Sequence, residues 1–167
     1  MIAEILKNMN LFIDGRGYAG VTDELTPPKL TMKTDEYRGG GLDAPVELEV
    51  GMEKLEAGFT LSKYDSDILK QFGLAPGNQV PLVFRGAIET EEGDVKAAVI
   101  NLRGMLKEQD MGTWKPGERA TLKGTIAVRY YKLTLDGEVI HEIDAENMIR
   151  IIGGVDQLAG QRAALGM

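Results

Sequence analysis

Closely spaced carboxylates are the residues of this chain whose type and spacing suit chemistry. Glu47 and Glu49 alternate along VELEV, and Glu89, Glu91 and Glu92 form a second group. On an extended strand, residues i and i+2 share a face about 6.5–7 Å apart. That separation lies in the range used by acid–base carboxyl pairs in glycosidases. Any acidic strand face produces the same spacing, however, and no aromatic sugar platform lies beside either group. A solvated face therefore accounts for them more simply than catalysis. His141 is the sole histidine, and an unpartnered histidine in an amphipathic strand reads as a surface or packing residue. Serine occurs only at Ser62 and Ser66, outside any G-x-S-x-G element, and the chain has no cysteine. One histidine without cysteine does not make a zinc site. Gly39-Gly40-Gly41 lacks the Lys-Ser/Thr and the helix start of a phosphate-binding loop. It reads as a strand connection. Neither a metal nor a cofactor is expected.

The elements that position these residues are mostly strands. Val46, Leu48 and Val50 point to one side, opposite Glu47 and Glu49. Leu55, Ala57, Phe59 and Leu61 form an apolar face opposite Glu56. The stretch Tyr37–Leu61 thus reads as a long ribbon of two strands beside a glycine loop. Asp14-Gly15 and Asp136-Gly137 are hairpin signals, because both central turn positions need positive φ. Val80–Ile88 alternates, and Glu92-Gly93-Asp94 supplies a turn. Val95–Leu106 is apolar on both faces, as a central strand is. A long strand over Ala120–Leu135 slips its alternation at Tyr130-Tyr131, which predicts a bulge. Its return strand is Glu138–Ile143. One helix is expected over Ser62–Gly73, capped by Ser62, with Tyr64, Ile68 and Phe72 in a stripe, and stopped by Gly73 and Pro76-Gly77. Residues 1–9 read as an N-terminal arm and 153–167 as a C-terminal arm with a short helix after Val155.

Composition bounds the function. The 167 residues suit one domain, 1–167, with 43% hydrophobic and 27% charged residues. The 21 glycines exceed ordinary usage of roughly 7% and imply many turns and close backbone contacts. A net charge of −7 without a Lys/Arg cluster argues against gripping nucleic acid. No run approaches the roughly 20 apolar residues of a membrane-spanning helix. The start, MIAEILKNMNLF, lacks the basic opening of a secretory signal. A soluble protein made in the cytoplasm is expected, and the absence of cysteine leaves its redox compartment open.

Several segments together resemble the major tail tube proteins of contractile-tailed bacteriophages and the similar tube proteins of R-type tailocins. They are NLFIDGRGYAG (Asn10–Gly20), PPKLTMKTDEYRGGGLDAPVELEVGMEKLEAGF (Pro27–Phe59), LRGMLKEQDMGTWKPGE (Leu102–Glu118), YYKLTLDGEVIHEID (Tyr130–Asp144) and GGVDQLAGQR (Gly153–Arg162). They stand in the family's order and span nearly the whole chain. The resemblance implies an antiparallel β-barrel or sandwich, mainly β with one short helix, whose extended hairpins join a barrel shared among subunits. It implies hexameric rings stacked into a hollow tube inside a contractile sheath. It also implies a baseplate initiator, a tape-measure protein, a tail terminator and, in a phage, DNA passing down the lumen. The place implied is a virion tail or tailocin particle assembled in the bacterial host cytoplasm. No enzymatic activity is implied.

Two sets of site residues follow. Glu47, Glu49 and Glu56 are expected to face the lumen, where acid would repel phosphate over a screening length of about 8 Å. The alternative for them is an ordinary outer surface, because alternation fixes faces and not their destinations. Arg38, Gly39, Gly40, Gly41, Leu42 and Asp43, in the loop 38–45, are expected at the contact between rings, with Arg38 and Asp43 pairing across it. Alternatives to a phage or tailocin tube are the tube of another contractile injection system and, in a different class, a small glycan-active or ligand-binding β-domain.

Overall fold

The computed structural model describes residues 2–73 and 79–167. The expected helix stop at Pro76-Gly77 lies outside them. In chain order the elements are β1 (Glu4–Ile13), β2 (Arg16–Gly17), β3 (Thr22–Thr26), β4 (Met32–Tyr37), β5 (Val46–Met52), β6 (Leu55–Leu61) and α1 (Ser66–Leu69). There follow β7 (Val80–Thr90), β8 (Val95–Asp110), β9 (Leu122–Leu135), β10 (Glu138–Asp144), β11 (Ile149–Ile152), β12 (Val155–Asp156) and α2 (Ala159–Leu165).

A 10-stranded antiparallel sheet runs β12-β11-β10-β9-β8-β7-β1-β2, and β6 branches from β9 to carry β3. The branch lets the sheet curl so that β3 and β6 close over β1, β7, β8 and β9. Leu11, Phe59, Leu61, Leu82, Leu102, Leu106, Leu122 and Ile126 fill the space between. Both Asp-Gly turns form as the sequence requires: Asp14 and Gly15 have φ 50° and 79°, and Asp136 and Gly137 have φ 50° and 82°. The central strand is β8, paired with β7 and β9. The expected slip is also present. Arg103 pairs with Tyr130 but Gly104 pairs with Val128, so Arg129 bulges out of the ladder. Two glycines allow close packing here. A Cβ on Gly124 would collide with the Phe59 ring, and one on Gly104 with the Ala127 carbonyl.

Four expectations are corrected. The N-terminal segment is no free arm: Glu4 through Ile13 pair with β7. Period-two alternation begins only at Met9, so its outer half carried no strand signal. The expected helix shrinks to the single turn Ser66–Leu69. Asp65, not Ser62, caps it by accepting the Asp67 N–H at 2.9 Å, and Ser62 Oγ donates to the Val21 carbonyl. Gln109 Nε2 then donates to the carbonyls of Ile68 and Leu69, and Gly73 N–H bonds to Leu106. Those tertiary bonds take the groups a longer helix would use. Ile68 is buried, but Phe72 stays exposed.

The third correction concerns the ribbon. β5 does not pair with β6. It pairs with β4 as a separate two-stranded sheet, and the glycine loop is the tip of that hairpin. The fourth is the C-terminal arm, which carries the expected helix after Val155 as α2 but is tied to its own subunit. Arg162 is ion-paired with Asp156 and donates to the Met148 carbonyl at 2.7 Å. Gly166, at φ 73°, ends α2 in a left-handed cap, with Met167 N–H bonded to the Arg162 carbonyl.

Candidate assembly surface

The β4–β5 ribbon has two unlike faces. Paired residues share a face, so Tyr37↔Val46 and Asp35↔Leu48, with Val50 beyond, form one side. Val46, Leu48, Val50 and Tyr37 are 43%, 48%, 54% and 56% exposed. A row of aliphatic side chains in water on a two-stranded ribbon is unusual for a monomer. The other face carries Glu36↔Glu47 and Thr34↔Glu49, and Thr34 Oγ1 donates to Glu47 at 3.2 Å.

This acidic face meets the body at one point. Arg150, in β11, lies among apolar neighbours and is 7% exposed. Its Nη1 donates to Glu49 Oε1 at 2.9 Å and contacts the Met32 sulfur at 3.7 Å. Its Nε is buried without a hydrogen-bond partner. The Arg150 bond, together with the Gly51 N–H, holds the Glu49 carboxyl below the usual carboxylate range. Beside this tie lies a groove of about 610 Å³ between the ribbon base, the β10–β11 turn and α2, lined by Val50, Met52, Leu55, Ile143, Met148 and Leu158 among others.

The tip of the ribbon is ordered by its own backbone. Arg38 Nε donates to the Leu42 carbonyl at 3.2 Å, and Leu42 N–H to the Gly39 carbonyl at 3.2 Å. Gly41 takes φ 87°, which a side chain would resist. Arg38 is therefore engaged within the loop, and Asp43 projects from it.

The structure does not gather the expected acidic residues into one cluster. Glu47 and Glu49 ride on the ribbon. Glu56 sits on β6, where Lys107 and Lys54 both bind its carboxylate and, Lys107 foremost, hold it below the usual range. Across β1, β7, β8, β9 and β10, the face turned away from the core carries Asn10, Arg85, Arg103, Lys132 and Glu142. Arg85 lies 6.0 Å from the Phe12 ring and Arg103 4.2 Å from the Tyr130 ring. The outer edge of β1, over Glu4–Asn10, is unpaired among the described residues.

Two features of this surface carry little signal in the sequence. One is the exposure of the Val46–Leu48–Val50 row, which alternation alone marks as a core face. The other is Arg150. Its signal was an arginine set inside the apolar run Met148–Ile152. At the α1 side, Trp114 is 73% exposed with its ring 6.3 Å from that of Tyr64. His141 packs beside Tyr131, its ring 6.3 Å away. Among the described residues no group of three metal-ligating side chains comes together.

Residues 3–166 match the family model described as phage tail tube protein FII. The tail tube protein of Escherichia phage P2 is 36% identical over 166 residues, covering 97% of this chain and 96% of that protein. The major tail tube protein of Serratia phage KSP20 is 29% identical over 151 residues, covering 89% and 86%. In fold, the chain is similar to a cryo-EM structure of the PVC sheath/tube terminator of an extracellular contractile injection system. The TM-score is 0.59 at 8% identity, covering 77% of this chain and 94% of that one. A chain of the PVC sheath–tube complex gives a TM-score of 0.57 at 8% identity, covering 75% and 87%.

Proposed function

This chain belongs to the phage tail tube protein family, and on that premise we propose that it stacks in hexameric rings to build the hollow inner tube of a contractile tail. Its role is structural and not catalytic. The observation that carries the stacking is the ribbon, whose aliphatic face lies open to water in the single subunit. A second carrier is the outer β1 edge, unpaired among the described residues. Pairing edges around a ring removes them, and a head-to-tail contact that closes by rotation makes the ring.

In this reading the wall of the channel is the uncovered face of β1, β7, β8, β9 and β10. Glu56 lies on the same side of the sheet, with its charge matched by Lys54 and Lys107. Glu47 and Glu49 reach the channel only where the ribbon carries them. The wall's charges are mixed, and its arginines are drawn onto aromatic rings. A phosphate backbone therefore meets no unbroken cationic track and slides without being held. The tip residues Arg38 to Asp43 make the contact between rings. The sheath surrounds the tube, and the Trp114–Tyr64 corner faces it. A baseplate starts polymerisation, a tape-measure protein occupies the growing lumen, and a terminator closes the end. In a phage, DNA follows. Assembly takes place in the host cytoplasm.

Negative-stain electron microscopy of the concentrated protein, alone and with purified baseplates, tests the reading. Hollow tubes of uniform diameter are expected. A chain that stays monomeric on baseplates overturns it.

A further inference from the structure

We infer that the side chains of Asn8 and Asn10 hold the outer edge of β1 shut in the free subunit, so that strand addition waits for a baseplate or an existing tube end. This rests on the tube reading and adds the device that keeps an unpaired strand from joining another chain in solution.

The direction of the backbone groups is the first argument. In an antiparallel strand the N–H and C=O of one residue point to the same side, and the side alternates along the chain. The Leu11 carbonyl accepts the Tyr18 N–H at 2.9 Å, on the β2 side and away from β7. The Leu11 N–H therefore points outward as well. Met9 stands two residues earlier with no register shift between them, so its N–H points the same way. These are donors that a further strand would use, and neither is open. Asn8 Oδ1 accepts the Met9 N–H at 2.9 Å, and Asn10 Oδ1 accepts the Leu11 N–H at 2.8 Å. Each asparagine caps the residue that follows it, in direct competition with a sheet ladder.

The neighbouring stretches are closed by other means. Leu6 pairs with Ile88 and Asn8 with Ala87, which leaves Lys7 outside the ladder as a bulge. A bulge breaks the repeat that a straight partner strand needs, and a lysine on an edge resists being covered. Past Leu11, β2 pairs with Phe12 and Ile13. From Lys7 to Ile13 the edge is thus bulged, capped or covered. A guard is needed here, because Ile5 and Leu6 are 52% and 57% exposed, and an apolar open edge pairs indiscriminately.

The guard acts on rate. Turning one asparagine frees one amide, and a docked strand then supplies a carbonyl in its place. The finished contact loses no hydrogen bond, so the cost falls on the encounter. Two free subunits have only that encounter to hold them together. At a tube end the ring below holds the incoming subunit while its asparagines turn.

Two double variants test this beside the wild-type chain. Asn8→Ala with Asn10→Ala removes both acceptors, and Asn8→Asp with Asn10→Asp keeps them. In the free subunit, amide exchange at Met9 and Leu11, read by NMR and corrected for intrinsic rates, should be about tenfold faster in the alanine pair than in the other two chains. Without baseplates, the lag before hollow tubes appear by light scattering and electron microscopy should shorten about tenfold in the alanine pair alone. On baseplates all three chains should grow alike. Equal exchange in all three chains, wild-type tubes that appear without a lag, or an alanine pair as dormant as wild type off baseplates each overturns the guard while the tube reading stands. Absence of tubes from all three chains on baseplates overturns both.

Discussion

Glu49 and Arg150, far apart in sequence, join the ribbon to the body through one hydrogen-bonded ion pair of 2.9 Å. The Arg150 bond is the larger cause of the lowered Glu49 pKa, the Gly51 N–H adds to it, and desolvation opposes both. A carboxyl whose folded pKa is depressed contributes stability above its unfolded pKa and loses it as pH falls through the folded value. The ribbon should therefore loosen in acid, below the ordinary glutamate range. Hydrogen exchange over residues 32–52, corrected for intrinsic rates, should accelerate there. Glu49→Gln should exchange fast at neutral pH and lose the acid response. Unchanged protection in that variant would show that other contacts hold the ribbon.

Leu48→Ser separates folding from assembly. Leu48 is exposed in the single subunit, so the change should move monomer stability by no more than about 0.5 kcal/mol. Tube yield on baseplates should drop severalfold if the exposed row it interrupts is the proposed contact between subunits. Urea melts and electron microscopy on the same preparation read the two effects.

Gly124→Ala tests the core. The new methyl would collide with the Phe59 ring, whose far end lies against that backbone. Overpacking of this kind costs about 1–3 kcal/mol. In a domain of this length that corresponds to a fall in Tm of roughly 2–4 °C per kcal/mol, measurable by calorimetry. Pairing it with Phe59→Leu should recover part of the loss.

Gly137→Val tests the β9–β10 turn. Gly137 has φ 82° and open space around it, so the cost is conformational and not steric crowding by neighbours. About 1–2 kcal/mol of destabilisation is expected for a side chain in the left-handed region. Gly137→Asn should cost clearly less, since asparagine tolerates that region. Equal costs for the two would refute the backbone explanation.

Much of the fold was legible because its signals are local. Asp14-Gly15 and Asp136-Gly137 announce their turns through positive φ, and Leu55–Leu61 announces its buried face by strict alternation. The slip at Tyr130 pointed to the bulge that falls at Arg129. What escaped was set by partners distant in sequence. Nothing near Ser62 shows that Gln109 will cap α1 after a single turn. Nothing in VELEV shows that its strand mate is Met32–Tyr37 rather than Leu55–Leu61. Alternation divided Glu47 and Glu49 from Val46 and Leu48 correctly, yet an apolar face left open to water has the same pattern as one destined for the core. Arg150 was the least visible, because its meaning lies in Glu49 and in a groove that only the tertiary fold creates.

The ribbon's separate sheet also has a mechanical consequence. It is anchored to the body by the Glu49–Arg150 pair, and its two strands are closed at the base by the Glu53 N–H bond to the Thr31 carbonyl at 2.9 Å. Gly51, at φ 122°, sits in that joint. The main sheet is stiff, since every displacement within it strains a ladder of hydrogen bonds. The joint swings about a few dihedrals at far lower cost. A filament of such subunits would behave as rigid discs on compliant couplings, bending between its discs and keeping its bore round.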